Sequence, residues 1–187
     1  MPQFGSSIHE NEGNFARLVI LGSWKETEMA CKFLSTGKRN LSLREHDTLM
    51  FFYQLLEKTN AATMLFKRIN PVYHRNWIAS GMGKPARWLY RIRLSDAYMG
   101  CFTGGSDFNL ARLRFEHFES RRQDIEDAFG EALIWDYRAN RQVQHIGSFC
   151  HIGGLRDKSM WPEIQTDLVD RMVRLEKALE KHMAGLP

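Results

Sequence analysis

The chain has 187 residues, of which 43% are hydrophobic and 26% charged, as is usual for one globular domain. Its formal net charge of +4 permits nucleic acid as a partner without requiring one. No run approaches the roughly 20 apolar residues that cross a membrane, and the first residues lack the basic start and apolar run of an export signal. We therefore expect a cytoplasmic protein without a membrane partner.

Three cysteines, Cys31, Cys101 and Cys150, stand far apart in apolar or half-apolar runs. An odd number at such wide spacing is not typical of a disulfide framework. We expect reduced core residues, which also agrees with a cytosolic location.

The N-terminal part mixes Gly, Ser, Asn and Glu over residues 1–13, and this composition predicts a flexible arm. A single α+β domain is expected over residues 14–187. Its first apolar run, Phe15 to Leu21, predicts a strand or a short buried segment. A capping-box spacing then predicts a first helix over about residues 24–34.

The same capping-box spacing recurs at Ser42 and Glu45 and predicts a second helix that ends near Thr59. The following apolar residues, Met64 to Ile69, predict a short strand. Asn70-Pro71 then requires an extended or turned backbone.

Three strands are predicted next, over residues 73–82, 88–94 and 97–102. Alternation in the second places Trp88 and Tyr90 on one face and Arg91 on the other. We expect Trp77, in the first of these strands, to be a core residue like Trp88 and Tyr90.

A good N-cap, Asp107, predicts one helix of about 22 residues that ends near Ala128 and lies across the sheet. Its apolar positions are Phe108, Ala111, Phe115, Phe118, Ile125 and Phe129. Two more strands are expected over residues 132–137 and 142–150. A closing helix begins around Pro162 and carries apolar residues at helical spacing.

Short connections between consecutive strands favour antiparallel pairing. We therefore predict an α+β fold with a mostly antiparallel sheet, a long helix packed across it, a helical N-terminal part and a closing C-terminal helix. All helices are expected on one face of the sheet.

Two short patterns resemble an uncharacterised prokaryotic domain-of-unknown-function family. They are Asn76-Trp77-Ile78 followed by Gly81-x-Gly83, and DIExxFGxxLIW from Asp124 to Trp135. The resemblance covers about residues 41–182. It implies a domain that is often C-terminal in restriction-endonuclease-like or defence-associated proteins, in prokaryotes or phages, with a supporting role in DNA handling. It supplies no catalytic residues.

A basic segment from Ala61 to Ser95 contains seven Lys and Arg residues and no Asp or Glu. Five of its cations are candidate nucleic-acid contacts: Arg75, Lys84, Arg87, Arg91 and Arg93. They would neutralise phosphates while neighbouring aromatic rings stack on unpaired bases. The alternative interpretation is structural, with the aromatic residues in the core and the arginines on a solvated strand face.

Other chemistry is weakly indicated. Gly81-Met82-Gly83-Lys84 lacks the spacing of a phosphate-binding loop and is interpreted as a turn. His145, Cys150 and His151 lack the spacing of a metal site, so no metal or other cofactor is expected. The available strand-end acids, Asp96, Glu131 and Asp136, are too few to indicate a nuclease.

We therefore predict a non-enzymatic module that binds nucleic acid or a nucleic-acid-handling protein. One alternative is a protein-interaction or inhibitor module, including a counter-defence protein, that docks through apolar helix faces or the N-terminal arm. A small metal-dependent nuclease is the other. The sequence leaves the oligomeric state open, and the Met-rich final helix is a candidate surface for a homodimer.

Overall fold

A computed structural model describes residues 41–72, 74–81, 84–104 and 107–187 of the chain. Within these ranges the helices are α1 (Leu43–Ala62), α2 (Phe108–Glu119), α3 (Arg122–Phe129) and α4 (Trp161–Glu180). The strands are β1 (Trp77–Ser80), β2 (Ala86–Ile92), β3 (Ala97–Gly104), β4 (Ile134–Asp136) and β5 (Val143–Cys150). The predicted N-terminal arm, the segment at 15–21 and the helix at 24–34 lie outside the described residues.

The five strands form one sheet in the order β1-β2-β3-β5-β4, and every neighbouring pair is antiparallel. Together with the four helices this confirms the predicted α+β fold. The short strand predicted at Met64 to Ile69 is wrong. Here Lys67 N donates to Met64 O and Ile69 N to Phe66 O, so the backbone turns. Phe66 is buried and its ring centroid lies 4.8 Å from that of Tyr90, so the turn is anchored in the core.

Helix α1 begins at the predicted capping box. Ser42 Oγ accepts from Glu45 N at 3.3 Å, and Glu45 Oε2 accepts from Ser42 N at 2.8 Å. Both contacts satisfy backbone N–H groups that have no partner inside the helix. The apolar side of α1 then enters the core through Phe51, Phe52 and Leu55, none of which is more than 1% exposed.

The stretch predicted as one long helix is two helices. α2 ends at Glu119, and α3 begins at Arg122 after Arg121 adopts a non-helical backbone with φ −119° and ψ 21°. Ser120 Oγ donates to His117 O, a local side-chain bond that competes with helix continuation. The break allows residues on both sides of it to be buried, whereas Phe108 is half-exposed at the start of α2 and does not belong to the core face.

All four helices pack on one face of the sheet, as predicted. Their buried side chains share one apolar cluster with residues of that face, among them Tyr90, Met99 and Ile146. α4 contributes the predicted apolar face, in which Leu168, Met172 and the other core positions are fully buried. The opposite face of the sheet therefore has none of the described helices packed on it.

Two arginines of α4 tie this helix to the loop before β4. Arg171 Nη1 lies 2.8 Å and Arg174 Nη2 3.0 Å from the two oxygens of Glu131. Partial burial opposes ionisation of Glu131, but the hydrogen bonds from both arginines outweigh it and keep the pKa of this carboxyl below its usual range. Glu131 thus has a structural partner on the helix side of the molecule.

Candidate nucleic-acid interface

The sheet face on which none of the described helices packs carries arginine and aromatic side chains in alternate positions. Strand register places the following residues on this side, which we name the arginine face: Trp77, Ala79, Arg87, Leu89, Arg91, Tyr98, Gly100, Phe102, Val143, His145, Gly147 and Phe149. Leu89, Tyr98 and Phe102 form a small apolar cluster of their own there. The face therefore has an ordered centre that is separate from the main core.

One row of this face crosses four strands. Trp77 pairs with Arg91, Arg91 with Tyr98, and Tyr98 with Phe149. The guanidinium carbon of Arg91 lies 4.8 Å from the Tyr98 ring centroid and 6.0 Å from that of Phe149. Arg75 stacks on Trp77 at 4.7 Å. Cation–π attraction therefore holds two guanidinium groups in this first row.

A second row lies four residues further along the strands. Arg87 pairs with Phe102, and its guanidinium carbon is 4.3 Å from the centroid of that ring. Phe102 in turn pairs with His145, the ring centroids being 5.8 Å apart. Asp136 of β4 stands opposite His145 at the end of this row.

Between the two rows lie Leu89 and two glycines. Gly100 and Gly147 are direct partners on β3 and β5. The Tyr98 phenol lies across this pair, since a Cβ atom added at Gly100 would be 2.7 Å from its hydroxyl oxygen, and one at Gly147 would be 2.6 Å from its Cζ atom. The two glycines thus form a shallow trough, and a flat ring already fits in it.

The Arg91 guanidinium is half-buried and incompletely hydrogen-bonded. Its Nε atom is buried and has no hydrogen-bond partner among the described residues. Burial, and secondly the neighbouring Arg93, lower the pKa of Arg91. A guanidinium nevertheless stays protonated at neutral pH. An approaching anion would therefore meet a cation that has lost water without gaining a full set of acceptors.

Two carboxylates lie near the arginine face, and both have arginine partners. Asp136 Oδ1 accepts from Arg141 at 2.6 Å and lies 3.6 Å from Arg138. The hydrogen bond from Arg141 keeps the pKa of Asp136 below its usual range. Asp96 lies 3.9 Å from Arg93 in the turn after β2. The surplus of cations on this side therefore persists after these pairings.

The structure places the five predicted contact residues around one strand. Arg87 and Arg91 share one face of β2, and Arg75 joins them through Trp77. Lys84 and Arg93 are exposed beyond the two ends of β2. The five cations thus line a single edge of the arginine face, with Arg87 and Arg91 half-buried and the other three exposed.

One predicted core residue, Trp77, is not in the core. Its side chain is 38% exposed and lies on the arginine face, because β1 pairs with β2 in the register that sets Trp77 opposite Arg91. Trp88 and Tyr90 are buried on the helix side, as predicted. Lys84 N donates to the carbonyl of Gly81, where φ is 79°, as in a turn.

The described residues do not assemble the alternative sites. His145 faces the arginine side while Cys150 packs in the core on the other, so strand alternation separates these two potential ligands. In the described ranges, no group of three or more His, Cys, Asp and Glu side chains is arranged to hold a metal ion. Burial raises the pKa of Cys101 to about 12 and that of Cys150 to about 11.

The sequence interpretation missed Tyr98, Phe102 and Phe149 as parts of the site. The signal that was available is the alternation Tyr98, Gly100, Phe102 in the strand after the basic segment. That pattern shows that Tyr98, Gly100 and Phe102 share a face. Only the strand register places Tyr98 and Phe102 beneath Arg91 and Arg87.

Fold and site together define an α+β domain with a five-stranded antiparallel sheet, helices on one face and stacked arginines on the other. The chain belongs to the family described as a domain of unknown function (DUF4268), which matches residues 48–183. This range nearly coincides with the resemblance found in the sequence over residues 41–182. No curated protein matches the chain, and neither does any solved structure. None of the helices in the described ranges is both long and apolar enough to span a membrane.

Proposed function

We propose that this domain is a non-enzymatic module that binds nucleic acid through the arginine face. The observation that carries the proposal is the pair Arg87 and Arg91, each stacked on an aromatic ring of the same sheet face and joined by Arg75 on Trp77. A guanidinium that lies over a ring keeps its charge and holds its N–H groups in its own plane, in the fork geometry that phosphate oxygens accept.

Charge around these residues supports the same partner. Arg75, Lys84 and Arg93 add exposed cations along one edge of the face. Phosphates are the anions that such a line of cations recognises without regard to sequence, at the cost of strong salt dependence. We propose a supporting role for the module in a cytoplasmic DNA-handling or host-defence system of a prokaryote or phage, where it would act on nucleic acid or on a protein that handles it.

The two alternative functions receive less support. In the protein-interaction alternative, apolar helix faces or the N-terminal arm would dock a partner. The apolar faces of α1 and α4 are buried in the core, and the arm lies outside the described residues. In the nuclease alternative, Glu131 would be grouped with Asp96 and Asp136, yet Glu131 is engaged by Arg171 and Arg174 on the helix side.

The proposal is tested by charge reversal at the exposed cations. Changing Arg75, Lys84 and Arg93 together to Glu should abolish salt-sensitive binding to labelled DNA or RNA in a mobility-shift assay. If all three residues contact phosphates, they contribute about 2 to 3 to the magnitude of the slope of log affinity against log salt concentration in the parent protein. These residues are exposed, so the fold should survive, and circular dichroism would verify that.

A matched control removes the same charge from the helix side. Arg44, Arg112 and Lys177 are exposed on α1, α2 and α4. Reversing all three changes the net charge equally and should leave much of the affinity in place. If the two triple variants lose affinity equally, binding depends on the net charge of the protein and not on the arginine face, and the proposal is wrong. A parent protein without salt-sensitive binding to any nucleic acid would refute the proposal.

A further inference from the structure

Resting on the proposed function, we infer that the ligand of the arginine face is a single-stranded nucleic acid, bound along β2 with an unpaired base stacked on Trp77. Among the described aromatic residues of the face, Trp77 is the exposed one, at 38%, and it lies at the end of the first row. Arg75 covers one side of its ring, so a base would stack on the other side. Tyr98 and Phe102 are buried beneath their arginines and so offer no free ring surface.

The shape of the face favours a single strand over a duplex. Duplex DNA is usually read by a helix or a two-stranded ribbon that enters the major groove. Here the helices pack on the opposite side of the sheet, and the face itself is broad and lined with rings. Antiparallel sheets with aromatic and arginine side chains on one face are suited to splayed bases, which stack on rings and on guanidinium planes.

The two arginine rows provide the spacing for a backbone to run along β2. Arg87 and Arg91 are four residues apart on the same face, which corresponds to about 13 Å at the usual rise of a strand. The first row combines the Arg91 guanidinium with the exposed Trp77 ring, and the second row contributes the Arg87 guanidinium. Between them the Tyr98 ring lies over Gly100 and Gly147, so no side chain of these two residues separates the rows. A flexible single strand can follow these two separated points more easily than a stiff duplex.

Arg91 supplies an independent indication that an anion binds at the centre of the face and not only at its edge. Its buried Nε lacks an acceptor within the described part of the chain, and Arg93 adds a second positive charge nearby. A phosphate oxygen that reaches this half-buried guanidinium would add an acceptor to a cation whose hydrogen bonding is incomplete. The base attached to that nucleotide would then be directed toward Trp77, the register partner of Arg91.

The experiment compares labelled oligothymidylate, oligouridylate and a duplex of equal length by fluorescence anisotropy at low salt. We expect at least one of the two single strands to bind 10-fold or more tightly than the duplex. Trp77→Ala should lower single-strand affinity by about 5- to 150-fold, the range for loss of one stacked base, and Trp77→Phe should restore most of it. Duplex affinity should change little.

Phe108→Ala is the matched control, because Phe108 is also an exposed aromatic residue but begins α2 on the other side of the molecule. It should leave affinity for every probe unchanged. If the duplex binds as tightly as both single strands, or if Trp77→Ala weakens all probes equally, the inference is wrong while the proposed function stands. If no probe binds in a salt-sensitive manner, both are wrong.

Discussion

Adding one methyl group at Gly147 should strain the centre of the arginine face. This glycine pairs with Gly100 on the neighbouring strand and lies under the Tyr98 ring. We expect Gly147→Ala to destabilise the folded domain and to displace that ring, which supports Arg91 from below. The substitution thus probes whether the trough is required by close packing or is incidental.

The size of the effect follows from what the new Cβ would meet. It would contact the backbone carbonyl oxygen of Met99 and the Tyr98 hydroxyl well inside normal separation, and would lie 2.6 Å from Tyr98 Cζ. A ring can rotate away, but the carbonyl belongs to the paired strand and moves only with it. Overpacking of this kind costs about 1–3 kcal/mol, and a loss of about 2 kcal/mol lowers the Tm by about 4–8 °C in a chain of this size.

Thermal and urea unfolding of five variants, one of them Tyr98→Leu alone, would measure it. Gly147→Ala is studied alone and with Tyr98→Leu, and Gly130→Ala is studied in the same two backgrounds. Gly130 has φ 92° and only one atom, Arg174 Nη1 at 3.7 Å, near its would-be Cβ, so its cost comes from backbone conformation. The changes in unfolding free energy caused by Gly147→Ala and Tyr98→Leu should differ from additivity by about 0.5–3 kcal/mol, whereas those caused by Gly130→Ala and Tyr98→Leu should be additive. An unchanged Tm for Gly147→Ala would refute the packing argument.

Three further predictions concern stability. Glu126→Ala should lower the free energy of urea unfolding by about 2–4 kcal/mol, because the carboxylate accepts from the Trp135 indole and from Leu133 N, at 2.9 Å each. Glu126→Gln keeps an acceptor and should cost less. Burial, and then Arg141, lower the pKa of His145. The folded state thus favours the neutral ring, so the free energy of unfolding should fall as pH decreases below about 6.5, the usual pKa of an unfolded histidine. In unfolding curves at pH 5 and pH 7, His145→Gln should reduce the difference between the two pH values. Ser42→Ala should lower stability by about 1 kcal/mol in calorimetry and Ser42→Thr by less, because Thr keeps the capping oxygen of α1.

Local signals in the sequence were sufficient for most elements. The capping box at Ser42 and Glu45 specifies where α1 begins because both hydrogen bonds are made within four residues. Period-two alternation likewise separates Trp88 and Tyr90 from Arg91, since successive strand residues face opposite sides. These features depend on neighbours in the chain, and the structure confirms them.

The features that sequence reasoning missed depend on contacts between distant residues. The continuous apolar spacing predicted one helix through Ser120. The structure has a break there, where Ser120 Oγ donates to His117 O, and residues on both sides of the break are buried. The position of Trp77 was mistaken because its own strand is only four residues long, too short for alternation to show which face is buried. Its exposure follows from pairing with β2, which no local pattern encodes.

The register of the sheet also removes the apparent conflict between the two interpretations of the basic segment. A strand face of arginines can be structural, covering apolar rings, or functional, presenting charge. Under the proposed function Arg87 and Arg91 would do both, because each guanidinium carbon lies over an aromatic ring while the group keeps its charge. Stacking removes rotamer freedom before any ligand arrives, so less entropy is lost on binding. A Lys at either position would keep the charge but lose the planar stack. Under the proposed function, the aromatic residues beneath the arginines would preorganise the surface for phosphate, which a merely solvated basic strand would not do.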